Sequence, residues 1–175
     1  AMIRVDKALC KEKLLAKNLI EINDDAMESL RIEAGIPLYN IDMSQENLLP
    51  ETGLEKIAVS YTKGCYLGQE VVARIKTYGT VPKAIIGLEF SDNDLPAFDS
   101  EIIINNKKVG IIKSGTFSPN LQKFIALAYL TKEYRKPGEV IEFAIEEKHY
   151  KAIVKLLPFY HPPTPQEIAK KLYDK

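Results

Sequence analysis

The runs Val140-Ile141-Glu142-Phe143-Ala144-Ile145 and Tyr150-Lys151-Ala152-Ile153-Val154-Lys155-Leu156 decide the fold class of this 175-residue chain. In the second run Tyr150, Ala152, Val154 and Leu156 fall on one face of an extended chain, with Lys151 and Lys155 on the other. The first is rich in β-branched and aromatic residues, which favour a pleated surface. Working outward, Asn105-Asn106 lies between residues 101–104 and 107–112 and reads as a hairpin turn, and Lys136-Pro137-Gly138 breaks another pair of elements. Several short strands with turns between them predict a small antiparallel β-barrel over residues 81–160.

Upstream the period changes, and the chain as a whole reads as α+β. Over residues 7–19, Cys10 and Leu14, then Leu15 and Leu19, stand four apart among lysines, which predicts an amphipathic helix. Asp25 followed by Glu28 has capping-box spacing. Met27, Leu30 and Ala34 then share a face before Gly35 and Pro37 end a helix over 25–34. Residues 39–61 read as a loop lying over something, with turn chemistry at Pro50-Glu51-Thr52-Gly53. After Gly64, the positions Leu67, Val71 and Ile75 predict a helix running to about Thr77 and stopping at Gly79. Thr164-Pro165-Gln166-Glu167 predicts a capped helix over 161–175. The boundary between a first domain, 1–80, and the barrel is placed near residues 79–82.

With 46% hydrophobic and 27% charged residues, 9 Gly and 10 Pro, the composition excludes disordered, collagenous and disulfide-scaffold classes. Two cysteines and two histidines are too few for a zinc or iron-sulfur cage of four such ligands. No apolar stretch approaches the roughly 18 to 20 residues of a membrane span. Ala1-Met2 reads as a cloning remnant before a start codon, and the expected compartment is the cytoplasm. Charge is balanced overall but uneven. Residues 21–106 carry six basic against fifteen acidic side chains, and residues 107–175 thirteen against seven. That is not the basic excess of a sequence-independent nucleic-acid binder, though the basic half could help attract an anionic small ligand.

The string Lys63-Gly64-Cys65-Tyr66-Leu67-Gly68-Gln69-Glu70 carries the most unusual local chemistry. A thiol immediately before a helix feels the positive end of the peptide dipoles, and Lys63 adds a cation, so the spacing predicts a reactive Cys65. A small residue packed at a helix start accounts for the same letters. Neither His149 nor His161 is near Cys65 in sequence to serve as a base. Arg31 and Glu33, two apart on a helix, point about 200° apart, so one could face a pocket while the other does not. Glu28 and Arg31 have the spacing of an ordinary ion pair. There is no Gly-rich phosphate loop, H-E-x-x-H or carboxylate pair whose spacing alone implies acid-base chemistry.

Leu30-Arg31-Ile32-Glu33-Ala34-Gly35, Leu38-Tyr39, Asp42 and Leu49-Pro50-Glu51 together resemble the folate-binding segment of the glycine-cleavage T-protein (aminomethyltransferase) superfamily. Val109-Gly110, Ser114-Gly115, Ser118-Pro119, the run 125–129, Pro137-Gly138 and Pro158-Phe159 resemble its C-terminal barrel. The string 63–70 resembles the signature of one branch, the YgfZ-type folate-binding factors for iron-sulfur protein maturation. The resemblance implies the C-terminal part of a folate-binding α+β domain followed by an antiparallel barrel. Its cofactor would be tetrahydrofolate or a one-carbon derivative, and Arg31, Glu33 and Tyr39 its folate-binding residues. Cys65 would be the functional thiol of a signature formed with Lys63, Gly64, Tyr66, Gly68, Gln69 and Glu70, with no metal.

The implied role is that of an accessory factor with a link to tRNA modification. Its partners would be iron-sulfur assembly proteins and their client enzymes, without direct contact to nucleic acid or membrane. The superfamily's chains also have a further N-terminal portion that holds much of the folate pocket and, in the T-protein, a catalytic aspartate. This sequence begins after it. The alternatives are an aminomethyltransferase acting on a lipoyl-bound aminomethyl group, and a non-catalytic binding module whose thiol is incidental.

Overall fold

The structure, a computed structural model, describes residues 7–17, 19–79, 81–92 and 94–161. Strands β1 (Lys83–Phe90), β2 (Glu101–Ile104), β3 (Lys107–Ser118), β4 (Lys123–Thr131), β5 (Val140–Ile145) and β6 (Lys148–Lys155) form a closed antiparallel barrel in the order β1-β4-β3-β2-β5-β6, with β6 pairing back onto β1. The barrel read from the alternating runs is therefore present, and the fold is α+β. Asn105 and Asn106 turn the β2–β3 hairpin at φ 51° and 59°. Both take the left-handed conformation that a tight two-residue hairpin demands and that Asn tolerates.

Strand alternation separates two apolar layers. Inside the barrel, Leu88, Phe90, Ile102, Val109, Ile112, Ala126, Ala128, Leu130, Ala152 and Val154 are fully buried. Gly110 on β3 lets β4 approach closely, since a Cβ there would lie 2.4 Å from the Tyr129 carbonyl oxygen. On the outer face of β1 and β4, Ile85, Ile125, Leu127 and Tyr129 are buried with Ile32, and Ile111, Leu121, Leu157 and Phe159 pack on them. β4 is thus buried on both sides, each large apolar side chain contributing about 1.5–3 kcal/mol of burial.

The outer layer is covered by segments that precede and follow the barrel. Helix α1 is Lys7–Leu15, shorter than the expected 7–19, and its Leu14 and Leu15 are about half exposed. Helix α2 is Asp24–Glu33. Its cap is Asn23, whose side chain accepts from the Ala26 N–H, and not the expected Asp25; Glu28 bonds Arg31 in place of completing a capping box. The buried face also differs from the expected one. Met27 and Leu30 are exposed, as is Ala34, while Ile32 and Glu33 are buried against β3 and β4. Gly35 ends the helix at φ 68°, and a Cβ there would lie 2.7 Å from Leu157, so the helix end seats against the segment after β6.

The stretch 39–61 is more ordered than a loop, with a 3-10 turn at Leu49–Thr52 and a short helix α3, Glu55–Ala58. Helix α4 is Gln69–Tyr78, with Leu67 outside it and fully exposed. The helix expected over 161–175 lies outside the described residues beyond His161.

Candidate functional site

Two buried polar constructions join the upstream segment to the barrel. The first is a brace centred on Arg31. Its Nε and Nη2 donate to the two carboxylate oxygens of Glu28 at 2.8 and 2.5 Å, and Nη1 donates to the Ile36 carbonyl at 2.5 Å and to Asp42 Oδ2 at 2.8 Å. Asp42 is fully buried; its Oδ2 also accepts from the Leu38 N–H and its Oδ1 from the Ser114 N–H. That last donor is available because β3 carries a bulge. Two residues, Lys113 and Ser114, stand between Ile112 and Gly115 where β4 has one, so the strand register shifts there. Hydrogen bonding to Glu28, reinforced by Asp42, raises the guanidinium pKa above its ordinary value, against an opposing effect of burial.

The second construction is a clasp at Glu33, which is 2% exposed. Ser118 Oγ donates to its Oε1 at 2.5 Å and Asn120 Nδ2 to its Oε2 at 2.6 Å, while its backbone carbonyl accepts from the Phe159 and Tyr160 N–H groups. The Glu33 side chain therefore holds the β3–β4 turn, and its carboxylate is engaged within the chain. Arg31 is almost fully occupied too, with one of its five N–H groups left over. Tyr39, by contrast, is 55% exposed.

The signature string forms a separate feature. Cys65 is exposed and lines a cleft of about 330 Å³ with Lys63, Gly64, Tyr66, Gln69 and Glu70. It does not sit immediately before a helix as expected. Gly68 at φ 85° opens α4 at Gln69, and the Tyr66 N–H donates to Gln69 Oε1, so a looped segment separates the thiol from the helix end. Lys63 is directed at the Tyr66 ring, its Nζ 4.7 Å from the centroid. Among the described residues, no group of three or more His, Cys, Asp or Glu is arranged to hold a metal.

A larger cleft has no counterpart among the motifs of the sequence. Its volume is about 540 Å³, and it lies between the 40–47 segment and the barrel wall, lined among others by Lys83, Lys113, Tyr129 and Thr131. The Tyr129 Oη and Thr131 Oγ1 are buried with no hydrogen-bond partner among the described residues. Burial, with the negative charges of Glu51 and Asp42 nearby, pushes the Tyr129 phenol up to about 12, so it remains a donor. Strand alternation could have revealed that 129 and 131 share a face. It could not reveal that nothing among the described residues reaches their hydroxyls. Arg31 and Tyr39 line neither cleft, and no residue is common to the two clefts.

Residues 83–161 match the glycine cleavage T-protein C-terminal barrel domain, so this part of the chain is a barrel of that class. An aminomethyltransferase of Picosynechococcus sp. is 36% identical over 135 residues, covering 77% of this chain and 37% of that protein. One from Listeria welshimeri is 31% identical over 159 residues, covering 91% of this chain and 44% of that protein. The crystal structure of the glycine cleavage system aminomethyltransferase T from Bartonella henselae superposes with a TM-score of 0.77 at 22% identity, over 88% of this chain and 43% of that one. The barrel match and the aminomethyltransferase relatives support placing the chain in the glycine-cleavage T-protein superfamily, and the crystal structure shares its fold. The chain spans less than half the length of these curated relatives. No helix among the described residues is long and apolar enough to cross a membrane.

Proposed function

We propose that the chain provides the C-terminal wall of a tetrahydrofolate site in an aminomethyltransferase-type protein. The observation that carries this reading is the extent of the likeness to aminomethyltransferases. At 135 and 159 matched residues it is longer than the barrel segment and takes in residues upstream of β1. Tetrahydrofolate, when bound, supplies the acceptor of a one-carbon unit. The chain's own contribution is positional. Tyr39 offers an exposed ring for stacking, and Arg31 has one N–H free for a carboxylate or carbonyl oxygen. Glu33 acts through the clasp that fixes the end of α2. In calorimetry with tetrahydrofolate, Tyr39→Ala is expected to weaken binding about fivefold while leaving the melting temperature within a degree or so, since stacking on an exposed ring is worth about 1 kcal/mol. Equal affinities in the two proteins would overturn the assignment.

A second reading, the iron-sulfur maturation factor, is favoured by one observation. The Cys65 thiol of the branch-like string is exposed and stands beside a cleft. On this reading Cys65 exchanges with a partner protein, and Cys65→Ser leaves folding intact. The variant is expected to fail to restore iron-sulfur enzyme activity in cells lacking the factor. Full rescue by Cys65→Ser would remove the thiol from the function.

A further inference from the structure

Tyr129 and Thr131 stand two apart on β4, on the outer face of the barrel. Lys83 on β1 pairs directly with Thr131 across the sheet, and its Nζ lies 5.7 Å from the Tyr129 ring centroid. Side chains opposite one another in an antiparallel pair lie about 5 Å apart at Cβ, which sets Lys83 beside Thr131, and Lys83, Tyr129 and Thr131 all line the cleft. Tyr129 is 3% exposed, and neither its hydroxyl nor that of Thr131 has a partner among the described residues. Leaving a buried hydroxyl unpaired is costly, so two of them on residues that line one cleft call for something that binds there.

The charges around the cleft select its kind. Asp42 is neutralised by Arg31, Asp99 by Lys113, and the cleft's Lys108 pairs with Glu101. Lys83 makes no ion pair among the described residues; of the remaining acids, Glu46 is exposed on the rim, and Glu51 is buried and bears on Tyr129 without lining the cleft. At the hydroxyl end, then, the cleft presents two donors and a cation that makes no ion pair among the described residues. The rest of its wall includes the apolar side chains of Ile41, Phe98 and Ile111.

We propose that this cleft is a binding site for a small organic carboxylate, whose oxygens accept from the Tyr129 and Thr131 hydroxyls beside the Lys83 ammonium and whose body lies against the apolar wall. The site is distinct from the one proposed for tetrahydrofolate, because neither Arg31 nor Tyr39 lines it.

The probe is benzoate, with benzamide as its neutral counterpart and inorganic phosphate as an oxyanion without an organic body, each titrated into the isotopically labelled full chain and followed by amide chemical shifts. Benzoate is expected to give saturable shifts at residues 40–47 and 129–131. Affinity should fall about tenfold for benzamide, and about tenfold for benzoate on Tyr129→Phe or Thr131→Val, the loss expected for one hydrogen bond to a charged group. Phosphate should bind more weakly than benzoate. The melting temperature of Tyr129→Phe without ligand is expected to equal or exceed that of the parent, because its hydroxyl has no partner to lose. Equal binding of benzoate and benzamide, undiminished benzoate affinity in Tyr129→Phe, or shifts confined to the Tyr39 region would each overturn the proposal. So would phosphate binding as well as benzoate.

Discussion

Arg31 and Asp42 are coupled so closely that neither can be altered alone without consequence for the fold. Asp42 is fully buried, its one cationic partner among the described residues is Arg31, and both of its oxygens are filled. Arg31→Met would strand that carboxylate, and breaking a buried pair from one side typically costs about 3–5 kcal/mol. Chemical denaturation is expected to register a loss of that size, with Arg31→Met/Asp42→Asn recovering part of it. Lost ligand binding in an Arg31 variant is therefore interpretable only beside its stability.

Tyr129 yields a pH prediction with a definite sign. Its folded-state pKa, about 12, lies above the ordinary value of 10, so the neutral phenol is favoured by folding. The associated stability is complete below pH 10 and declines as pH rises toward 12. Denaturant melts across that interval should show a downward slope in the parent that is shallower in Tyr129→Phe.

At the scale of elements, α2 depends on a cap that its sequence disguises. Asn23→Ala is expected to cost about 1 kcal/mol in denaturant melts, and Asp25→Ala only a few tenths. The letters at Asp25 and Glu28 satisfy a capping-box spacing, but Glu28 is drawn away by a bidentate bond to Arg31, and the Asn two residues earlier takes the N–H. The buried face of α2 departs from its apolar pattern for a related reason. Its apolar letters Met27 and Leu30 outnumber Ile32, yet the barrel lies on the side of Ile32 and Glu33, and a local pattern does not record where the neighbouring sheet is. The β2–β3 turn is legible because Asn105-Asn106 carries its geometry in two residues. Tyr150, Ala152 and Val154 are legible because alternation is itself local. The start of α4 is not, since Leu67 fits the helical spacing while Gly68 in the left-handed conformation sets the real beginning. Of the candidate site, Arg31 and Cys65 stand out as letters. The engagement of Glu33 with Ser118 and Asn120 depends on residues more than eighty positions away.

For the whole molecule, the consequence lies in β4, which is covered on both faces over most of its length. Its inner face fills the barrel, and its outer face is roofed by Ile32 from before the barrel and by Leu157 and Phe159 from after it. The hydrogen bonds from Phe159 and Tyr160 to Glu33 tie those two coverings together. Anyone excising the barrel as a tidy reagent, cutting at Lys83 and Lys155, would strip the lagging from a greasy stave. Ile85, Ile125 and Leu127 would then meet water as a stripe, inviting self-association at the concentrations used for crystals or antibodies. The smallest well-behaved piece would instead start no later than Asn23 and run through Tyr160.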